Sequence, residues 1–312
     1  MRRLQFLLLA IVVFAAGADA LWACLRHFDI DTRAYGLIAM LAAACAIGGV
    51  FYDRIRKDEC LAAMLFGAAF LLGMSASFSL LNFLLLTVAG PRIDQPLAAI
   101  DRALGFDWPA TMALMVHYPI VNAIFQLFYL SVLPQIALLL ILTGIFGRFE
   151  TIYDFSIAVA LGAAISIGVW TMAPSFGAFS VYALPHNIAN HLALALDHRY
   201  AQQLIALLTQ GPGHISPDDA KGLIGFPSYH AALAAIAAWQ AWGIRAARWP
   251  FAAVNAVVLV ATPVQGGHHV VDVIAGLGVA AISIALAHAI CRVASRTRWS
   301  RAAPALVPTP AS

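Results

Sequence analysis

Two short polar segments lie far apart in a chain that is otherwise strongly apolar, and the first is GFPSYH at residues 225–230. Pro227 suits the first turn of a helix and Ser228 suits its N-cap, so the segment predicts a helix start. Backbone N–H groups at such a start can bind an anion, and His230 would lie beside that anion. A single histidine at a helix start is more often structural, so this segment alone does not establish chemistry.

The second segment, TPVQGGHHVVDVIAG at residues 262–276, pairs a histidine with a carboxylate. His268 and Asp272 share one face of the helix that His268 is predicted to open, so the carboxylate can fix the tautomer and orientation of the imidazole. The neighbouring His269 points about 100° away around that helix, and we interpret it as a hydrogen-bonded or interfacial residue. The two segments together indicate acid–base or nucleophilic chemistry by imidazoles.

The elements that must position these side chains are membrane helices. The chain has 312 residues, of which 62% are hydrophobic and only 11% are charged. This composition predicts an all-α integral membrane protein, a multi-span helical bundle, and the small net charge of +3 argues against a nucleic-acid partner. Eight segments are long enough to cross about 30 Å of hydrocarbon: residues 4–25, 34–52, 61–89, 120–147, 152–173, 228–244, 250–264 and 268–292.

The first apolar segment has two interpretations. Arg2 and Arg3 precede it, and Ala18-Asp19-Ala20 resembles the cleavage site of a signal peptide. The apolar run continues past this point to Leu25, so we favour a first helix that is retained.

The basic residues divide unevenly between the two sides of the predicted bundle. With the N-terminus in the cytoplasm, twelve Arg and Lys residues fall on cytoplasmic segments and six on the other side, as the positive-inside rule requires. In that orientation His230 and His268 open their spans on the same, non-cytoplasmic side. Ionisable groups at membrane depth are costly and usually functional, so we predict one site that, in a bacterial inner membrane, faces the periplasm.

Two non-cytoplasmic stretches are longer than a simple connection needs. Residues 91–110 mix charged and apolar side chains and predict an interfacial helix followed by a turn, which we interpret as a membrane-surface connector. Residues 174–226 form a loop long enough to have a function, and it leads into the first polar segment.

FPSYH followed by HHVVD resembles the second and third signature motifs of the type 2 phosphatidic acid phosphatase (PAP2) superfamily. More narrowly, GLIGFPSYH and the GGHHVVDVIAG segment that follows Thr262 are similar to the branch containing inositol phosphorylceramide synthases. The resemblance extends from the predicted fifth span onward. It implies a PAP2-like catalytic helical core at 151–295. The apolar pattern and the basic residues predict N-terminal transmembrane helices with an interfacial segment at 1–150 and a cytoplasmic tail at 296–312.

The resemblance also implies a role for each polar residue. His268 matches the histidine that attacks phosphorus and is transiently phosphorylated, Asp272 the carboxylate that orients it, and His230 the acid that protonates the leaving oxygen. The positions expected to bind the phosphate are Ser228, Tyr229 and Thr262. This chemistry needs no metal and no other cofactor, because two imidazoles and positioned donors are enough.

The sequence departs from the family pattern where a positive charge is expected. The first motif, a lysine and an arginine that clamp phosphate, has no clear counterpart, and WTMAPSFGAF at 170–179 occupies its place without charge. Tyr229 replaces the usual glycine of the second motif, and Thr262 replaces the arginine common in the third. Lys221 or Arg199 could supply the charge, but we interpret both as solvated surface residues.

Three classes of function remain open at this point. The first is phosphoryl transfer from a lipid phosphate in the bilayer, to water in a phosphatase or to an alcohol in a head-group phosphotransferase, and we favour the phosphatase. The second is a metal-ion transporter, since a His and an Asp at this spacing can ligate a cation, although transport sites usually lie near mid-membrane. The third is a non-catalytic scaffold whose polar residues only join helices.

Overall fold

The helices of the protein follow the apolar segments of its sequence. The computed structural model describes residues 2–148, 151–196, 205–207, 209–211, 213–217 and 223–299. Its α-helices include α1 (Arg2–Leu25), α2 (Thr32–Phe51), α3 (Glu59–Leu85), α4 (Asp94–Ala103), α5 (Trp108–His117), α6 (Pro119–Leu130), α7 (Val132–Ile145), α8 (Thr151–Met172), α9 (His186–Ala189), α10 (Tyr229–Trp242), α11 (Arg248–Gln265) and α12 (Val270–Trp299). A π-helical turn, Tyr52–Arg56, extends α2, and 3₁₀ turns lie at Leu86–Val88 and Ala178–Ser180.

A helix forms over each predicted span, but fewer of these helices are long enough to cross a bilayer. Within the described residues, five have the length and hydropathy of a span, or six if α5 and α6, which meet at a 113° bend, form one broken span. The fourth predicted span is divided at Ser131 into α6 and α7, and the sixth is the 14-residue α10, which is only about 21 Å long. The all-α membrane fold is confirmed, whereas the prediction of about eight spans is not.

Acidic residues at polar connections define several helix starts. At the start of α2, Oδ1 of Asp31 accepts the backbone N–H of Ala34 at 2.9 Å. Asp58 accepts the N–H of Leu61 at 3.0 Å in the same way at α3, and Asp107 caps α5. Each cap satisfies a backbone donor that the helix leaves free, and losing one costs about 1 kcal/mol.

The N-terminal helices pack beside the rest of the bundle. α1 and α2 both contact α3, and the Ser77 hydroxyl of α3 donates to the buried carboxylate of Asp19 in α1. Two short parallel strands, β1 (Asp29–Ile30) and β2 (His214–Ile215), pair Asp29 with His214 and Ile30 with Ile215. This pair attaches the long loop before α10 to the connection between α1 and α2.

Helix α8 is buried along most of its length and contacts α3, α10 and α12. Small residues let these helices approach one another closely, as is common in membrane bundles. Gly162 of α8 faces Ile236 and the ring of Tyr229 in α10. On α12, a Cβ at Gly276 would collide with the carbonyl oxygen of Ser228. The glycine therefore allows α12 to pass directly against the start of α10.

Amide side chains fix the last turn of α11. Nε2 of Gln265 donates to Oδ1 of Asn122 on α6 at 2.7 Å, and its Oε1 accepts the N–H of Ala195 at 3.0 Å. Earlier in α11, Nδ2 of Asn255 donates to Oε1 of Gln135 on α7 at 2.7 Å. These contacts hold the end of the helix from which the second polar segment continues.

Basic residues gather at the end of the bundle opposite the two polar segments. α10 starts at the first polar segment and ends at Trp242, so Arg245 follows it at the far end. Arg148, which follows α7, packs against Gly243 and lines the same cavity as Arg245. The length of α10 thus separates these arginines from His230.

Candidate active site

His268 lies in the turn between α11 and α12. Because α12 begins at Val270, the prediction that His268 opens this helix was wrong by two residues. Asp272 nevertheless reaches the imidazole, with its Oδ2 3.3 Å from Nδ1 of His268, and the same oxygen accepts the N–H of His269 at 2.8 Å. Both side chains are buried. The pair is therefore held by the turn that precedes the helix and not by one helical face.

The hydrogen bonds of the His268 ring determine which of its nitrogens is free. Nδ1 lies 3.0 Å from the carbonyl oxygen of Gly225, which can only accept, so Nδ1 carries the ring proton. In the neutral imidazole Nε2 then carries the lone pair. Burial lowers the pKa of His268 to about 4, against a smaller opposing effect of the Gly225 hydrogen bond. The ring is therefore neutral near pH 7, and Nε2 is available as a nucleophile.

Nε2 of His268 faces the start of α10. Ser228 is the N-cap, as predicted, and its Oγ accepts the N–H of Ala231 at 3.3 Å and lies 3.4 Å from Nε2. The sequence had predicted Pro227 in the first helical turn. Pro227 instead precedes the cap and lies outside the helix. The backbone N–H of Ser228 donates to the carbonyl of Asp272 at 3.0 Å, which joins the two polar segments directly. Nε2 of His268 thus lies beside a helix N-terminus, where phosphate groups bind well.

The ring of His230 stacks on the ring of Tyr129 in α6. Their centroids are 4.3 Å apart and their planes differ by 7°. The hydroxyl oxygen of Tyr129 lies 2.6 Å from the point that a Cβ on Gly266 would occupy, and Cδ2 of His268 lies 2.7 Å from that same point. Tyr129 is therefore next to both imidazoles, and the structure brings His230 and His268 to one site.

Tyr229 and Thr262 use their hydroxyl groups within the protein. The Tyr229 hydroxyl donates to the carbonyl of Val159 on α8 at 3.0 Å, so only the backbone of Tyr229 remains at the helix start. The Thr262 hydroxyl donates to the carbonyl of Val258 within α11 at 2.7 Å. Neither hydroxyl proton is free for a phosphate oxygen in this arrangement.

Helix α4 contributes a buried carboxylate that the sequence interpretation missed. Oδ2 of Asp101 accepts the N–H of Val270 at 3.0 Å and lies 3.1 Å from Nδ1 of His269. Its Oδ1 accepts the N–H of Val271 at 3.2 Å. A carboxylate at this position also interacts favourably with the dipole of α12. The stretch interpreted as a surface connector therefore caps the helix that follows His268.

The other end of α4 is attached to the segment where a phosphate clamp was expected. Oδ1 of Asp94 accepts the Ser175 hydroxyl at 2.9 Å and the N–H of Phe176 at 2.7 Å. Arg92 pairs with the same carboxylate, at 2.6 Å between Nη2 and Oδ2, and its guanidinium lies over the Phe176 ring. The Ser175 carbonyl accepts the N–H of Gly225 at 3.1 Å. This chain of contacts fixes the Gly225 carbonyl that accepts from Nδ1 of His268.

Other polar residues lie away from this site or are not described. His214 pairs with Asp29 at 2.8 Å in the strand pair. Lys221 and Arg199, the alternative sources of positive charge, lie outside the described residues, as does the chain from residue 300 onward. In the described part of the chain, no group of three or more His, Cys, Asp or Glu side chains is arranged to hold a metal ion.

Comparison with known proteins gives one match. A family model described as the PAP2 superfamily matches residues 95–286, which is more than half of the chain. The matched region begins in the first turn of α4 and ends within α12, so it includes Asp101, Tyr129 and both polar segments. No curated protein and no solved structure matches the chain.

Proposed function

We propose that this chain, which belongs to the PAP2 superfamily, is a membrane-embedded phosphatase that hydrolyses lipid phosphate esters through a phosphohistidine intermediate. One observation carries the proposal. Nε2 of His268 carries the lone pair of the ring, because Nδ1 donates to the Gly225 carbonyl, and it accepts a hydrogen bond at 3.4 Å from the Ser228 hydroxyl at the N-terminus of α10. A nucleophile and a phosphate-binding helix start therefore adjoin one another.

The reaction proceeds in two steps at this site. Nε2 of His268 forms a bond to phosphorus as the ester P–O bond breaks, and His230, which the negative charge of the bound phosphate ester favours in its protonated form, gives its proton to the leaving alcohol oxygen. Neutral His230 then takes a proton from water, whose oxygen attacks phosphorus as the N–P bond breaks. Phosphate leaves, and both imidazoles return to their starting states. Asp272 and the Gly225 carbonyl keep the proton on Nδ1 throughout, and the Ser228 hydroxyl and the first-turn N–H groups of α10 bind the phosphoryl oxygens.

The proposed substrate is a lipid because of where the site lies. An amphiphilic phosphate ester can keep its chains in the hydrocarbon while its head group reaches the imidazoles at the ends of the helices. We place this end on the non-cytoplasmic side, in the periplasm if the membrane is a bacterial inner membrane. Arg148 and Arg245 at the opposite end of the bundle support that orientation through the positive-inside rule.

A lipid head-group phosphotransferase is the alternative, because the same phosphohistidine can transfer its phosphoryl group to an alcohol. The resemblance to the inositol phosphorylceramide synthase branch, including Thr262 before the third motif, is the observation that favours it. The acceptor in the second step distinguishes the two functions.

Hydrolysis of a lipid phosphate by the purified protein tests the proposal. In detergent micelles containing phosphatidic acid and excess EDTA, we expect release of inorganic phosphate and inhibition by vanadate, which mimics pentavalent phosphorus. An added alcohol acceptor that converts the product from inorganic phosphate to a phosphomonoester of that alcohol would identify the transferase. Hydrolysis that stops in EDTA and returns with a divalent metal would contradict the proposed chemistry.

The hydrogen bonds that Asp101 accepts at the start of α12 lead to a second prediction, about stability and kcat. Asp101→Ala leaves Val270 N–H, Val271 N–H and Nδ1 of His269 without their acceptor, and each unsatisfied buried donor costs about 1–3 kcal/mol. We expect a lower thermal midpoint and a kcat reduced at least about tenfold, since a small displacement of a reacting group is costly. Thermal unfolding in detergent and steady-state kinetics provide the measurements.

The matched control is Asp107→Ala, which removes the exposed cap of α5. That variant should lose about 1 kcal/mol of stability and keep its kcat. An Asp101→Ala protein that turns over as fast as the Asp107→Ala protein would show that Asp101 does not position the His268 turn.

A further inference from the structure

Within the described residues, position 262 offers no free hydroxyl proton to a doubly charged phosphoryl group. The resemblance places an arginine there in many family members, but this chain has Thr262, and its hydroxyl proton is already given to Val258. Arg92 is paired with Asp94. A second hydrogen-bond donor, on the side of His268 that faces the end of α11, would stabilise the charge on the phosphoryl oxygens in the transition state.

Tyr129 carries a donor at this place. Its side chain is only 3% exposed, and a buried tyrosine hydroxyl normally has a hydrogen-bond partner. No hydrogen bond among the described residues includes the Tyr129 hydroxyl, and its oxygen is not one of the fully enclosed atoms that lack a partner, so it faces open space. The hydroxyl ends beside Gly266, close to Cδ2 of His268, which is bonded to the nucleophilic Nε2.

Gly266 is required for this approach. Its backbone conformation, with φ of −99°, is open to any residue, so the requirement is one of space. A Cβ there would lie 2.6 Å from the Tyr129 hydroxyl and 2.7 Å from Cδ2 of His268. The glycine therefore leaves an opening between the tyrosine hydroxyl and the imidazole, next to the nitrogen that attacks phosphorus.

We propose that Tyr129 is a catalytic residue whose hydroxyl donates a hydrogen bond to an oxygen of the phosphoryl group transferred to His268. The inference rests on the proposed phosphohistidine reaction and adds a donor to it. The stacked ring of Tyr129 also holds His230, so one side chain contacts the acid and the transferred group. The ring and the hydroxyl can be separated by mutation, because phenylalanine keeps the stack and removes only the donor.

The Tyr129→Phe variant tests this inference. Because the hydroxyl makes no hydrogen bond within the described protein, the variant is expected to fold with wild-type stability. We expect kcat on a lipid phosphate to fall about a hundredfold with little change in KM, since the bond strengthens in the transition state. Vanadate should bind at least about tenfold more weakly, measured as a smaller increase in the thermal midpoint. Phosphate should still be trapped on His268, at a slower rate.

The control is Tyr153→Phe, which removes another buried hydroxyl at the start of α8. That hydroxyl accepts a hydrogen bond from Gln5 at 2.6 Å, so the variant should lose stability and keep its kcat and vanadate affinity. Wild-type kcat and wild-type vanadate affinity in Tyr129→Phe would overturn the role of Tyr129 and leave the phosphohistidine reaction standing. Absence of any phosphohistidine in the wild-type protein would overturn both.

Discussion

A His268→Gln variant is expected to lose at least about a thousandfold in kcat, because it removes the nitrogen that forms the bond to phosphorus. Glutamine keeps a polar side chain that can still reach the Gly225 carbonyl, so the turn between α11 and α12 should persist. Lipid phosphate should bind with nearly unchanged affinity, since Ser228 and the start of α10 remain. Release of inorganic phosphate and the thermal midpoint of the same preparation provide the measurements.

The control for this loss is His117→Gln, which makes the same substitution at an exposed position at the end of α5. We expect that variant to hydrolyse lipid phosphate at the wild-type rate. Folded His268→Gln protein that retained more than about a tenth of the wild-type kcat would exclude His268 as the nucleophile.

In a His230→Gln variant, we expect the loss of rate to depend on the leaving group of the substrate. General acid–base catalysis contributes about 10²–10⁴-fold, and a lipid alkoxide leaves only when it is protonated. A nitrophenolate leaves without a proton, so p-nitrophenyl phosphate should still phosphorylate His268. Hydrolysis of the phosphohistidine should then be limiting, because no base activates water, and the phosphoenzyme should accumulate.

Rapid mixing with p-nitrophenyl phosphate measures this directly. The expected result is a burst of nitrophenolate close to one equivalent per protein, followed by slow turnover. Equal loss of activity on the lipid and on the activated ester, with no burst, would contradict the assignment of His230 as acid and base. It would leave His230 as a residue that only packs against Tyr129.

The two polar segments were readable from the sequence because each contains its own helix signals. Ser228 is an N-cap with a side chain that accepts from Ala231, as the sequence predicted, and Asp272 contacts His268 at the predicted spacing. The family resemblance at the superfamily level is also supported by the match over residues 95–286. The cap and the His–Asp contact could be predicted from the sequence because the two residues of each pair are only three or four positions apart.

The remaining parts of the site come from residues that no local pattern connects. The Gly225 carbonyl lies closer to Nδ1 of His268 than Asp272 does, and a backbone acceptor has no sequence signal. Asp101 is separated from His269 by 168 positions, in a helix whose mixed composition is typical of a membrane surface. Tyr129 lies in a strongly apolar helix that also contains Phe125 and Phe128, so its residue type does not single it out. Only tertiary packing distinguishes these three.

The prediction of about eight spans was not confirmed, for a different reason. Apolar composition shows which segments avoid water. Helices enclosed by other helices and helices exposed to lipid are both apolar, so their sequences are similar. Helix α10 is rich in alanine and is mostly enclosed by other helices, and it is too short to cross the hydrocarbon alone. The break at Ser131 likewise divides one apolar run into two short helices, α6 and α7.

The most direct test of the account is the identity of the residue that becomes phosphorylated. Protein mixed with lipid phosphate, quenched in alkali within milliseconds and digested for mass spectrometry should carry the phosphoryl group on His268. The modification should be acid-labile, as phosphoramidates are, and absent from His268→Gln. Full hydrolytic activity with the phosphoryl group on another side chain, or with no covalent intermediate under these conditions, would contradict the account.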